Sequence, residues 1–426
     1  MAFGQEEVER RRQQREALRE KREQEQQRLI KRLRIALIAL VAAAAVILAV
    51  VLIGKGGEKE PTPTTLPTET LAPFPEETEP RGDKTVVHFA ATGDLNITDR
   101  VVASGGAGLD YTRMLSDVLP LLAEADLTVM NFEGNVVGAP YGSAYRSAPT
   151  QLLTALKTAG VDMVQLANSC TITNGIIGLN TTLNAIRAAG IEPIGAYPTN
   201  DAFEENGGYT IWEVEGVRIA VVAFTKGMDN MALPAGSEKC VNLLYTDYSS
   251  TYVDVNTEGI TDILERIEKE KPHVTIALVH WGSEFNDTHS KSQEKIRELM
   301  LQNGVDAILG SHPHYVQEVD FDKEAGTLVA YSLGDFLGDR ERAGTEYGII
   351  LNLQITKDNK ADTAKITGFR YDPIFTSQDA DGMLRVLRIQ AAIDAYEGNY
   401  LDRITAEDYA SMTSALERIA DRVNPD

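Results

Sequence analysis

From Thr85 onward, short apolar runs alternate with amphipathic helical stretches, and this alternation constrains the fold more than any other feature of the chain. The runs Thr85–Ala91, Leu127–Asn131, Met163–Ala167 and Ile191–Gly195 read as strands. So do Tyr209–Glu213, Val217–Phe224, Val274–Val279, Ala307–Leu309 and Leu328–Leu333. Tyr111–Ala123, Gln151–Ala159, Leu179–Ala189, Ile260–Glu270 and Lys291–Gln302 read as the helices between them. Continuous apolar strands separated by amphipathic helices predict βαβ units and a sheet covered by helices. The pair Glu215-Gly216 between two strands predicts a hairpin, so the sheet is mixed. Gly348–Ile355 and Lys365–Tyr371 add late strands, and Leu384–Glu397 with Ala406–Asp421 predicts closing helices.

Polar residues of chemically useful types follow these strands directly. Asp94 follows VVHFAATG, Asn131 and Glu133 follow LTVM, and Asn168, Ser169 and Cys170 follow MVQLA. His280 follows VTIALV, His312 and His314 flank a proline after AILGS, and Asp335 follows VAYSLG. In open α/β sheets the carboxyl ends of the strands form the ligand crevice, so these residues are expected to converge. A single Asp after a strand is ordinarily a cap or turn residue, and a lone histidine before Trp-Gly is as readily a satisfied core residue. Two imidazoles around one proline have little use in a core. Taken together, the set reads as a site.

The amino-terminal part is of another kind. Residues 35–53 contain no charged or strongly polar residue. A helix of that length spans roughly 28 Å, close to the hydrocarbon thickness of a bilayer. The apolar region of a secretory signal peptide usually has only about 7–15 residues, so the run reads as a retained anchor. Lys31, Arg32 and Arg34 precede it, whereas Lys55 and Lys59 beyond it are interleaved with Glu58 and Glu60. The positive-inside rule therefore leaves residues 1–34, a charged helical segment, in the cytoplasm and sends the rest outside. Residues 54–84, rich in Pro, Thr and Glu, cannot bury enough apolar surface to fold and read as an extended spacer. The formal charge of −22 excludes nucleic acid as the main partner, because phosphate binding needs basic faces. Two cysteines, Cys170 and Cys240, leave no disulfide scaffold and no four-cysteine zinc module.

The strand-end motifs come in a specific order: ATGD, NFE, LANSCTITNGIIGL, IGAY, HWGSEF, GSHPHYVQ and YSLGDFL. In that order and spacing the chain resembles the CapA/PgsA family of capsule and poly-γ-glutamate biosynthesis proteins, from about Thr85 to Leu337. The resemblance implies a four-layer α/β/β/α metallophosphatase-like domain, often membrane-anchored, with a cleft at the strand ends. The domain would be 85–426, with a core over 85–337 and added strands and helices over 338–426. By motif position, Asp94, Glu133, Ser169, His280, His312 and His314 fall where metal ligands would lie. Asn168, Cys170 and His280 fall where catalytic groups would, and Asn131, Glu284 and Asp335 would line the same cleft, Glu284 orienting a histidine. Carboxylate and imidazole suit Mn, Zn or Fe. Two such ions about 3.5–4 Å apart hold a phosphate and activate water.

Four positions depart from the family pattern. Where the family reads Ala-Asn-Asn-His, this chain has Ala167-Asn168-Ser169-Cys170; the family's later Asp is Asn174, and the Asn of its SLGNF motif is Asp335. Serine is a poorer metal ligand than the amide it replaces, and a thiol cannot act as a cationic proton donor, although a thiolate is a good zinc ligand. The reading is therefore of a surface-anchored CapA-like protein acting in capsule or poly-γ-glutamate synthesis, export or attachment. Its expected partners are the membrane and an anionic surface polymer or capsule synthesis complex. Two alternatives stand beside it: a metal-dependent phosphoesterase working on wall or lipid-linked phosphates, and a non-catalytic scaffold with a degenerate cleft.

Overall fold

The computed structural model describes residues 82–340, 342–398 and 404–423. The expected cytoplasmic segment, the expected span over 35–53 and nearly all of the spacer lie outside these residues. Among the described residues no helix is long and apolar enough to cross a membrane.

In chain order the strands are β1 (Lys84–Asn96), β2 (Leu127–Glu133), β3 (Met163–Gln165), β4 (Glu192–Ile194), β5 (Thr210–Val214), β6 (Val217–Thr225) and β7 (Val274–His280). They continue as β8 (Ala307–Ser311), β9 (Val319–Asp322), β10 (Thr327–Ala330), β11 (Asp335–Leu337), β12 (Tyr347–Asp358), β13 (Thr363–Gln378) and β14 (Leu384–Arg388). One sheet has the order β14-β13-β12-β1-β2-β3-β4, with β11 pairing β1 beside it; the other runs β5-β6-β7-β8-β10-β9. Strands β1 to β4 are mutually parallel, as are β6, β7, β8 and β10. Their carboxyl ends are where the candidate residues sit.

The two-residue period of β6 explains the layering. Ile219, Val221 and Ala223 point into the core that also holds Val87, Phe89 and Val129 of the first sheet. Ala220, Val222 and Phe224 point the other way, onto Ile260, Ile263, Leu264 and Ile267 of helix Thr257–Glu270 and Ile296 and Met300 of helix Lys291–Gln302. Helices Thr150–Thr158 and Gly175–Ala188 bury Leu152, Leu153 and Leu156, and Leu179, Leu183 and Ile186, in the larger core. The result is α/β/β/α.

Several elements depart from expectation. Leu384–Glu397 is not one helix: Leu384–Arg388 forms β14 and pairs antiparallel with β13, and the helix is Ile389–Glu397. The LRVLR segment satisfies its backbone on the free edge of β13 instead of turning. Tyr111–Ala123 divides into helices Thr112–Leu115 and Leu119–Glu124, with Pro120 in the first turn of the second, where its missing N–H costs nothing. The strand expected at Leu328–Leu333 ends at Ala330, and β9 and β11 were not anticipated. The Glu215-Gly216 hairpin is present; both residues have positive φ, 50° and 75°, as a type I′ turn requires.

Candidate metal centre

Asp94 and Asp335 meet because Gly93 lets two backbones touch. A Cβ on Gly93 would lie 1.8 Å from the carbonyl oxygen of Gly334. In its absence the Asp94 N–H donates to that oxygen at 3.0 Å, and Asp94 pairs in register with Asp335. On the other side of β1, Asn131 Nδ2 donates to Asp94 Oδ1 at 2.7 Å and to Glu133 Oε1 at 3.1 Å. Without that amide the two carboxylates would face each other unshielded. Asn168 stands behind it, wholly buried, donating to Asn131 Oδ1 at 3.0 Å and to Phe132 O at 2.8 Å. Its own oxygen accepts the Cys170 N–H at 3.0 Å. The structure thus puts Asn168 in the role of fixing Asn131.

The histidines come from the second sheet. His280, at the end of β7, lies with Nε2 2.9 Å from Glu133 Oε1 and Nδ1 3.2 Å from Thr225 Oγ1. His314 Nδ1 lies 2.7 Å from Asp335 Oδ1 and 3.3 Å from Asp94 Oδ2. The His312 N–H donates to Asp94 Oδ2 at 3.1 Å, and its ring centroid is 4.4 Å from that of His280. Both His312 and His314 hold positive φ, 94° and 60°, a cost that persists only where the surroundings enforce it. With Glu284, these side chains fall into three overlapping groups able to surround an ion: Glu133, His280 and His312; Asp94, His314 and Asp335; and Glu284, His312 and His314.

Electrostatics follow from this crowding. Burial would raise the Glu133 carboxyl, but the hydrogen bond and charge of His280, with His314 and Arg146 adding, hold it down to about 2. Burial, with the charges of Asp94 and Glu133, pushes Asp335 up to about 7 against the pull of His314. Burial also lowers His314, yet Asp335 and Asp94 outweigh it and hold the imidazolium well above its usual range. His312 is pushed the opposite way, by burial first and then by His280, Lys226 and His314. A neutral imidazole among buried carboxylates is what a metal needs.

One observation tests the fit. His312 Nδ1 is buried without a hydrogen-bond partner. A buried unpaired ring nitrogen is costly, and a divalent ion held through that nitrogen, with Glu133 and His280 or with Glu284 and His314, would remove that cost. The residues fit the group.

Other expected residues lie elsewhere. Ser169 lines a cavity of about 220 Å³ above His280 and His312, together with Lys226, Asp229, Tyr252, Ser283 and Glu284. Glu284 is exposed at the mouth and approaches His312 and His314 as a ligand would; among the described residues no hydrogen bond joins it to a histidine. Cys170 is 2% exposed and belongs to none of the ion-holding groups found among the described residues. Burial, reinforced by the Glu133 charge, pushes its thiol up to about 12. The His280 nitrogens bond Glu133 and Thr225, and among the described residues neither is hydrogen-bonded to Cys170. Asn174 donates to Asn135 Oδ1 at 2.9 Å and to Tyr145 O at 2.7 Å, tying down the loop that carries Arg146. Lys226 and Arg146 went unanticipated. Lys226 follows the strand VRIAVVAFT and carried the same strand-end signal as the others; Arg146 sits in a loop without pattern.

Fold and site define a two-sheet α/β protein with an imidazole–carboxylate cluster at the carboxyl ends of parallel strands. Residues 88–340, more than half of the chain, match the family described as bacterial capsule synthesis protein PGA_cap, and the chain belongs to that family. It is similar to the capsule biosynthesis protein CapA of Bacillus anthracis, 27% identical over 59% of this chain and 59% of that one. It is also similar to the PGA biosynthesis protein CapA of Bacillus subtilis, 24% identical over 57% and 60%. The match therefore spans about three fifths of each relative. Among solved structures, the calcineurin-like phosphoesterase YfkN from B. subtilis aligns with 15% identity, a TM-score of 0.42, and coverage of 79% of this chain and 97% of that one.

Proposed function

We propose that this protein is a membrane-anchored surface component of capsule or poly-γ-glutamate synthesis, export or attachment, whose outer domain holds a divalent transition metal in the cleft. Family membership and the names of the two Bacillus relatives support the biological setting. The uncharged run over 35–53, with basic residues on one flank, supports the anchor. The observation that carries the metal is the unpartnered Nδ1 of His312, a residue that offers a ring nitrogen to an ion together with Glu133 and His280. His280, His312, Glu133, His314, Asp94 and Asp335 would hold the metal, which supplies Lewis-acid polarisation of a bound oxygen. This chain's residues do the rest: Asn131 keeps Asp94 and Glu133 apart, and Asn168 holds Asn131. The test is metal analysis of the full chain purified without chelator. Wild type should carry close to one equivalent or more of Mn, Zn or Fe, and His312→Ala with His314→Ala should remove it without loss of far-UV circular dichroism. Less than about 0.1 equivalent in wild type would discard the metal, since structural or catalytic ions stay bound. In cells, the same double variant should fail to restore surface polymer to a strain lacking the gene.

A second reading, phosphoester hydrolysis on wall or lipid-linked phosphates, is favoured by the overlap of three ligand groups, which offers room for two ions. Turnover of a generic phosphodiester should then be weak and should rise in Ser169→Asn with Cys170→His. Acid–base assistance of that kind contributes about 10²–10⁴-fold. No turnover in either protein leaves the non-catalytic scaffold.

A further inference from the structure

We propose that Lys226 is the anion-binding residue of this cleft, its ammonium receiving one oxyanion, phosphate or carboxylate, of a ligand seated beside His312. The inference rests on the cleft being a ligand site and names the chemical class that it takes.

The backbone fixes where this lysine stands. The Lys226 N–H donates to His280 O at 2.8 Å, continuing the pairing of β6 with β7 one residue past the strand. The Thr225 hydroxyl donates to Gly227 O at 2.9 Å while also lying 3.2 Å from His280 Nδ1, so the turn is locked to the histidine. A Cβ on Gly227 would lie 2.2 Å from the carbonyl oxygen of Tyr248; only glycine lets the chain bend here and bring Tyr252 over the lysine. The ammonium then lies 2.8 Å from Gly282 O, 3.4 Å from His312 Nε2 and 4.7 Å from the centre of the Tyr252 ring.

Such an ammonium has three N–H donors. One is used by Gly282 O, and even with His312 Nε2 3.4 Å away at least one is left for the cavity that Lys226 lines. Lys157, Lys239, Lys357 and Lys360 each have a carboxylate within ion-pairing distance. Among the described residues Lys226 has none. Asp229 and Glu284 act on it only from further off. A half-buried cation without a counterion, walled by an aromatic face and next to an ion-holding cluster, is short of one anion. Charge-assisted hydrogen bonds are the strong ones, more so where water is partly excluded. Ser169 and Ser283 line the same cavity and supply further donors.

The experiment is calorimetric titration of the full chain with inorganic phosphate and, separately, with glutarate, at fixed ionic strength and with bound metal quantified in every sample. Wild type should bind at least one of the two. Lys226→Gln should weaken that binding about 10-fold or more, the size expected for a lost charge-assisted bond. Lys226→Arg should keep most of it, and Lys295→Gln, on an exposed helix surface, should keep all of it. If glutamine at 226 disturbs melting, Lys226→Met gives the same comparison. Binding of phosphate alone would indicate a phosphorylated ligand, and binding of glutarate a carboxylate polymer; both support Lys226. Equal affinity in wild type and Lys226→Gln, equal weakening in Lys295→Gln, or no binding of either anion by metal-loaded wild type overturns the assignment. Lys226-dependent binding by a protein that holds no metal keeps this inference and removes the metal from the function proposed above.

Discussion

Cys170 stands where the family resemblance calls for histidine, and its surroundings decide what it can do. It is buried, and its thiol, pushed up to about 12 by burial and by the nearby Glu133 charge, stays protonated at neutral pH. Thiolate is the reactive form. A thiol reagent at pH 8 should therefore label neither Cys170 nor Cys240 in the native protein and both in denaturant, since both are buried. Native labelling at Cys170 would show that the loop after β3 opens. The cluster's composition was legible at this scale. Asp94, Glu133, His280, His312 and His314 each follow a strand, and the structure brings them together as their positions implied. What the residues do to one another was not legible. Nothing in the order of residues says that Asn131 bridges two carboxylates while Asn168 holds Asn131.

At the scale of elements, β11 is the informative strand. It is only three residues long, too short to show a period, and it exists because Gly93 and Gly334 allow a backbone contact that brings Asp335 beside Asp94. Gly93→Ala should push these strands apart and destabilise the fold by about 1–3 kcal/mol, the usual penalty for overpacking. Urea denaturation would measure it, and an unchanged midpoint would mean that the contact is looser than it looks. Long periodic elements such as β6 and helix Thr257–Glu270 were readable because alternate faces must be apolar. β14 was not, because LRVLR fits either period and the open edge of β13 decided it. At the start of β8, burial pushes the Asp306 carboxyl up to about 6, although it accepts the Thr275 N–H at 2.8 Å. In the unfolded chain the same group titrates near about 3.9. Its favourable contribution is therefore full below about pH 4 and lost as the pH rises through about 6. Asp306→Asn keeps the acceptor and cannot ionise. Its stability relative to wild type should rise between pH 4 and 6 in thermal melts at several pH values; a constant difference would refute the desolvation.

The whole molecule carries its charge unevenly. Residues 1–34 carry 11 Lys/Arg against 7 Asp/Glu, while the full chain is −22, so the folded body is strongly acidic. With the orientation proposed above, protease added to intact cells should cut within 54–84 and release one stable fragment containing both sheets. Cleavage only after lysis would reverse the orientation. The placement of β1 has a consequence for the order in which the protein is made. Among the described residues β1 is the first strand to emerge, yet it lies in the middle of its sheet, with β2 on one side and β12 on the other. Lys84 pairs with Asp358, and Thr85 bonds to Asn359, 274 residues further along the chain. At typical rates of synthesis that neighbour arrives on the order of 15–50 s later. For that interval a central strand of the sheet has one bare edge, and the carboxylate at its end waits for histidines not yet made. Until β12 arrives that edge stays open to pairing with other strands, and the ion-holding cluster cannot be complete before Asp335 has been made.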